Sequence, residues 1–327
     1  SLPFELSNSD PLPDNLKAIS VKTQGLEDGI MSGEDEILFF AQALNGKFKS
    51  NSFTHPYGTQ RYYWLCIPDQ DNQTANTVSL LQESTLDATH TITSYEKRIY
   101  HESELHNQLH SGVNWVGEKL TGSTDQFSLN FTDNYLDLES EIKFNALMVM
   151  DFDAGNFQHV LDVKLNGVAF NVSKNTGVYK SIALSGTAGE NMLRDGANTL
   201  SIGYNSNSSA SIVYLDSLRL IYDRQFAPSQ DYLFGTVDLS GGVNNLIFHD
   251  ITPQFHMWDV TDLTSVREWQ IENSQFSIAE SGSREVIGFT EDQVRQVVLS
   301  VSVNLGEPKL RRNDMQADYI IITPSIF

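Results

Sequence analysis

The stretch Val160-Leu161-Asp162-Val163-Lys164-Leu165-Asn166-Gly167-Val168 carries the fold class in nine residues. Apolar and polar side chains alternate up to Leu165, the period of a strand with one buried face. Asn166-Gly167 then supplies the two left-handed positions of a type I′ turn, so the stretch predicts a β-hairpin. The same alternation recurs in Phe127–Phe131, Thr199–Tyr204 and Val297–Val303, between clusters of Gly, Asn, Ser and Asp. Asp195-Gly196-Ala197-Asn198 is a second turn signal, leading into a long strand expected over Ser211–Tyr222. Turn-punctuated short strands at this spacing predict an all-β chain of two or three β-sandwich units. Helix signals are scarce: the best candidate is Tyr95–Leu109, with a further turn or two near Glu291–Gln296.

At 327 residues the chain has room for two or three domains, and 40% hydrophobic residues suffice for packed cores rather than disorder. The formal net charge of −21, from 42 acidic against 21 basic residues, argues against nucleic acid and anionic membrane surfaces as partners. It suits a self-repelling exported protein. A single cysteine, Cys66, excludes an internal disulfide and any multi-cysteine metal site. The longest apolar run, Ala146–Met150, is far short of a spanning helix. The N-terminus shows no basic region followed by an apolar core, so a secretion signal is not expected within this sequence.

The pattern divides the chain into four parts. Residues 1–105 form an N-terminal β domain, with strands near Ile37–Phe40 and Tyr62–Ile67. Residues 106–225 read as a jelly-roll-like, galactose-binding-like sandwich. Residues 226–312 are a further β-rich unit around Trp258-Asp259-Val260-Thr261, either separate or paired with 1–105 as one discontinuous domain. In 313–327 a linker leads into Ala317-Asp318-Tyr319-Ile320-Ile321-Ile322-Thr323-Pro324. Its near-continuous apolar run is that of a strand buried on both faces in a parallel α/β sheet. Such a strand needs neighbours, so the chain is expected to continue into another domain.

Five segments in order resemble the region preceding the peptidase domain in gingipain-like cysteine peptidases, above all the sortases of type IX secretion. They are Asp28–Ala41, an acidic-glycine turn feeding an aromatic strand; His55–Tyr57 with Tyr62-Tyr63-Trp64-Leu65; Ser111-Gly112-Val113-Asn114-Trp115-Val116-Gly117-Glu118; Trp258–Thr261; and Ala317–Thr323. The last is similar to the first strand of the family's caspase-like domain. The chain departs from the family pattern at Pro56, where an Asn is usual, and at Pro324, where a His is usual. The resemblance implies a non-catalytic front part of a Cys/His endopeptidase, exported to the outer membrane or surface of a Gram-negative, Bacteroidetes-type bacterium. Its implied partners are its own downstream peptidase domain, secreted cargo and outer-membrane secretion components. The family's catalytic His and Cys lie after that first strand, so no catalytic residue is expected in this chain.

The residues themselves offer few competing sites. Cys66 stands in an apolar run without a basic neighbour to lower its pKa, as an inert buried thiol does. His101, His106 and His110, with Glu102 and Glu104, could present ligands if the predicted helix forms, but the general-base Glu of a His-Glu-x-x-His motif is missing. Asp151, Asp153 and Asn156 beside Gly155 fit a calcium loop loosely, without the closing Glu of an EF-hand. No other cofactor is expected. Trp64, Trp115, Trp258 and Trp269 are expected as core anchors, although exposed aromatics would make a carbohydrate-binding or adhesion module the alternative function. A glycoside hydrolase has no motif behind it, since carboxylate separation decides that chemistry.

Overall fold

The computed structural model describes residues 17–26, 35–42, 63, 65, 75–108, 115–151, 158–176, 181–228 and 232–297. The run at 317–324, Cys66 and the strand expected over 62–67, apart from Tyr63 and Leu65, lie outside them, as does all of Val297–Val303 beyond Val297.

In chain order the strands are β1 (Lys22–Gln24), β2 (Glu36–Leu38), β3 (Ser79–Leu81), β4 (His90–Ile92), β5 (Ser94–Glu102), β6 (Lys119–Thr121) and β7 (Asp125–Asp133). They continue as β8 (Ile142–Met150), β9 (His159–Leu165), β10 (Val168–Phe170), β11 (Val172–Thr176), β12 (Ser181–Ala188), β13 (Gly196–Ser206) and β14 (Ile212–Gln225). The last are β15 (Leu233–Leu239), β16 (Asn244–Ile247), β17 (His256–Asp259), β18 (Arg267–Trp269), β19 (Gln275–Ile278) and β20 (Gly282–Phe289). Among the described residues there is no α-helix, and Glu291–Gln293 forms a single 3₁₀ turn. The protein is all-β, built as sandwiches. No described helix is long and apolar enough to cross a membrane.

The quoted hairpin forms as its sequence dictates. Asn166 and Gly167 both take positive φ (54° and 82°), and Val168 faces Leu165 across the turn. Leu161, Val163 and Leu165 point inward while Asp162 and Lys164 face water. β9 belongs to a four-stranded sheet ordered β10-β9-β13-β7. That sheet packs on an eleven-stranded one ordered β11-β12-β8-β14-β5-β15-β20-β17-β18-β3, with β6 paired to β14. Phe127, Leu165, Leu200 and Ile202 from the smaller sheet meet Phe144, Met148, Leu184 and Leu220 from the larger in one core.

A second core lies farther along the large sheet. A three-stranded sheet, β19-β16-β4, covers its inner face, so Phe276 and Leu246 meet Val237, Met257 and Val286. The opposite face is covered too. Trp258 and Phe289 pack there with Val260, Val266, Leu38 and Phe40. Met257 and Trp258, one residue apart in β17, therefore serve opposite cores, as period-two geometry requires.

The helix expected over Tyr95–Leu109 does not form. Ser94–Glu102 is strand β5, paired with β14 over nine rungs from Ser94↔Gln225 to Glu102↔Ser217. The physical reason is that alternate side chains have partners on opposite faces. Tyr95 contacts Arg224, Lys97 pairs with Asp133, Ile99 packs on the first core and His101 lies against Phe127. On the other face Glu96 pairs with Arg98. Tertiary pairing thus overrides the modest helix propensity of Glu, Lys and Arg.

β5 also joins the two halves of the large sheet, meeting β15 through one rung, Thr236↔Glu96. Beside it lies a buried ionic node. Arg224, 1% exposed, donates through Nε to Asp133 Oδ1 (3.1 Å), and through Nη1 to Tyr95 Oη (3.2 Å) and the Ala227 carbonyl (2.8 Å). Its Nη2 reaches the Pro228 carbonyl at 3.1 Å. Asp133 Oδ2 accepts from Tyr222 Oη (2.6 Å) and Lys97 Nζ (2.7 Å). The node ties β7 and β14 of the first sandwich to the segment that opens the second.

Candidate functional site

The most organised polar constellation surrounds the Trp258-Asp259-Val260-Thr261 turn. Trp258 is buried, edge-on to Phe289 at a centroid distance of 5.2 Å, and this fixes the end of β17. Asp259 follows and caps its own turn: Oδ1 accepts from the Thr261 amide (3.1 Å) and from Thr261 Oγ1 (2.6 Å). Thr261 Oγ1 in turn accepts from the Glu285 amide of β20 (2.9 Å). Asp259 Oδ2 is left facing two arginines.

Arg267, on β18, donates Nη2 to Asp259 Oδ2 at 2.6 Å and grips Glu280 with both Nη1 (2.5 Å) and Nη2 (2.9 Å). Arg284, on β20, donates Nη2 to Glu280 Oε2 at 3.0 Å. Its Nε is buried, makes no hydrogen bond among the described residues and lies 3.7 Å from Asp259 Oδ2. The hydrogen bonds from Arg267, opposed by burial and reinforced by Arg284, hold the Glu280 carboxyl down to about 2. The same bonds to Glu280 push the Arg267 guanidinium up. Arg267 and Glu280 are therefore charged across the physiological range, and the fork geometry is rigid.

These groups border a cavity of about 350 Å³. Its walls are the hydroxyl-bearing Ser79, Thr261 and Ser265, the carboxylates of Asp259 and Asp262, and the guanidiniums of Arg267 and Arg284. Asp262 stands at an exposed corner, its carboxyl lowered by the Thr264 amide and hydroxyl. Among the described residues the lining offers hydrogen-bond donors and acceptors and holds no thiol, imidazole or apolar side chain. Its chemistry is that of polar binding. The turn was visible in the sequence; Arg267, Glu280 and Arg284 were not, because a charged residue in an alternating strand looks the same whether it faces water or a partner.

The other candidates are not brought together. His106 sits in an isolated bridge to Val116 rather than on a helix, so its pairing with His110 on one helical face does not arise, and His110 lies outside the described residues. His101 Nε2 instead lies 2.8 Å from Glu118 Oε1, which also accepts from Ser103 Oγ (3.1 Å). Asp151 follows β8, its amide bonded to the Ile212 carbonyl, while Asp153 and Asn156 lie outside the described residues. Among the described residues no three His, Cys, Asp or Glu side chains converge as a metal site would need. Trp258 and Trp269 are buried and Trp115 is 41% exposed; Trp64 lies outside the described residues.

Set beside known proteins, the fold has a counterpart. The crystal structure of dimeric latent PorU from Porphyromonas gingivalis matches 66% of this chain with a TM-score of 0.52 at 14% sequence identity. At that identity the similarity is one of fold. The match spans 22% of the PorU chain. No protein-family model matches the sequence, and no curated protein matches it.

Proposed function

We propose that this chain is a non-catalytic accessory region of a secreted gingipain-like cysteine peptidase, of the sortase kind that serves type IX secretion. The observation that carries the reading is the PorU-like fold over 66% of the chain. The ordered sequence segments, from Asp28–Ala41 to Ala317–Thr323, support it independently.

In this role the sandwiches are a rigid brace. Their two cores are tied by Arg224, which Asp133 of the first sandwich holds and which donates to Tyr95 of the second core and to the Ala227 carbonyl. A rigid body of this kind positions a neighbouring peptidase domain and docks cargo or a secretion component at the outer membrane, on the outside of a Gram-negative cell. Remote contacts of that sort orient a substrate without supplying a reacting group. The thiolate and imidazole that attack the scissile carbonyl belong, on this reading, to the peptidase domain.

The test has two parts. Reading the coding frame past Phe327 should reveal strand–helix alternation with a His and a Cys, each following an apolar strand. A stop codon there overturns the proposal. The purified 327-residue chain should also show no turnover of fluorogenic peptides, and measurable hydrolysis would place chemistry where none is assigned.

A further inference from the structure

We propose that the free edge of β7 is a docking site for an extended, basic segment of a partner protein, which joins the four-stranded sheet as a fifth strand. The inference concerns this edge alone and does not depend on the accessory reading.

β7 ends its sheet and is nine residues long. The other end strands of the three larger sheets, β10, β11, β3, β19 and β4, have five residues or fewer. The direction of the free groups on β7 follows from its neighbour β13. The Thr199 carbonyl accepts from the Asn166 amide, and the Thr199 amide donates to Asn166 Oδ1, so both groups turn away from β7. Asn130 stands opposite Thr199. In an antiparallel pair of this kind the groups of the facing residue turn outward as well. By period two the same holds at Ser128 and Thr132. Among the described residues, no partner meets the N–H and C=O groups of these three.

Exposed edges of such length are ordinarily blunted by Lys, Pro or a bulge. Gln126–Thr132 contains neither Lys nor Pro, and its ladder with β13 runs without a register shift. The sandwich is also open beneath it. Leu129 and Phe131 of β7, and Ile99 of β5 in the facing sheet, pack on the first core yet stay only half-buried. An added strand lays alternate apolar side chains over these three, and its polar ones come level with the exposed Ser128, Asn130 and Thr132. Ladder and core are thus extended together.

Charge selects the partner. From Leu120 to Ile142 the chain holds five acidic residues and neither Lys nor Arg. Asp125 opens β7, and the Thr121 amide holds its carboxyl below the ordinary range. A second copy would bring the same acids and another −21 to this edge, and is repelled. A segment with Lys or Arg at its ends is attracted.

Hydrogen-exchange mass spectrometry on the full chain tests this, with the acetylated peptide Lys-Thr-Val-Thr-Ile-Thr-Val-Lys as the probe. At saturating peptide, amide exchange in Gln126–Thr132 should slow at least about tenfold while the β11 edge is unchanged. The same peptide with Glu in place of Lys should bind at least about tenfold more weakly. Ser128→Pro removes an outward N–H without touching the bonds to β13, and should weaken binding about tenfold. If Ser128→Pro fails to fold, the exchange pattern and the two peptides carry the test on the wild-type chain. No slowing in Gln126–Thr132, slowing at another edge instead, equal binding of the acidic peptide, or unchanged affinity in folded Ser128→Pro would each overturn the proposal. Protection of β7 that grows with protein concentration in the absence of peptide would overturn it too, since the occupant is then a second copy. None of these results bears on the peptidase reading.

Discussion

Arg224 shows how much can rest on one side chain that its sequence context does not single out. In Tyr222-Asp223-Arg224-Gln225 nothing separates it from a solvated strand arginine, because burial is a property of what folds over it. Burial pushes the Asp133 carboxyl up, but Lys97, Tyr222 and Arg224 together outweigh it and hold the group below the ordinary range. The stabilisation linked to Asp133 is therefore present above the usual carboxylate pKa and is lost as pH falls through the lowered one. Arg224→Ala leaves that carboxylate buried with less compensation, and should cost about 3–5 kcal/mol in urea unfolding at neutral pH; a loss below 1 kcal/mol by this measure would contradict the geometry. Asp216 runs the opposite way. Burial, with Glu102 and Glu104 nearby, pushes its carboxyl up to about 6. Its ionised form is disfavoured in the folded state, so its contribution improves as pH falls from 7 toward 4. Asp216→Asn should raise stability at pH 7 by about 1–3 kcal/mol and flatten that part of the pH profile. An Asn variant less stable than wild type at pH 7 would refute the assignment.

Among the elements, legibility followed locality. The β9–β10 hairpin could be read from Asn166-Gly167 because a two-residue turn is decided by those two residues alone. A methyl group added at Gly167 meets no neighbour within 4 Å, so Gly167→Ala tests backbone strain by itself. At φ +82° it should cost about 1–2 kcal/mol in thermal unfolding, and a neutral result would mean the turn relaxes to another type. β5 was misread for the converse reason. Ser94–Glu102 mixes charged residues with aromatics, and what makes it a strand is β14, more than a hundred residues later in the chain. The cavity at Asp259 was half legible on the same principle: its turn is local, while Arg267, Glu280 and Arg284 converge only when β18 and β20 flank β17.

For the molecule as a whole, composition announced an acidic protein and turn-punctuated alternation an all-β one; the continuity of one sheet across two cores follows from neither. The charge of −21 makes compaction work against self-repulsion. Raising sodium chloride from about 0.01 M to about 0.5 M shrinks the screening length to a few ångströms. It should raise the melting temperature, since the Arg224–Asp133 pair is too buried to be screened in turn. A fall would mean that exposed ion pairs dominate. The single rung Thr236↔Glu96 has a mechanical consequence. It stands between a nine-rung ladder, β5 on β14, and a seven-rung one, β15 on β20. Under tension across the sheet, load passes through that rung, the ionic node beside it and the Tyr95 and Phe226 side chains, which are packed in the second core. The two halves should thus separate there as intact bodies before either unravels, and in this material the site of yield is set by how few bonds share the load.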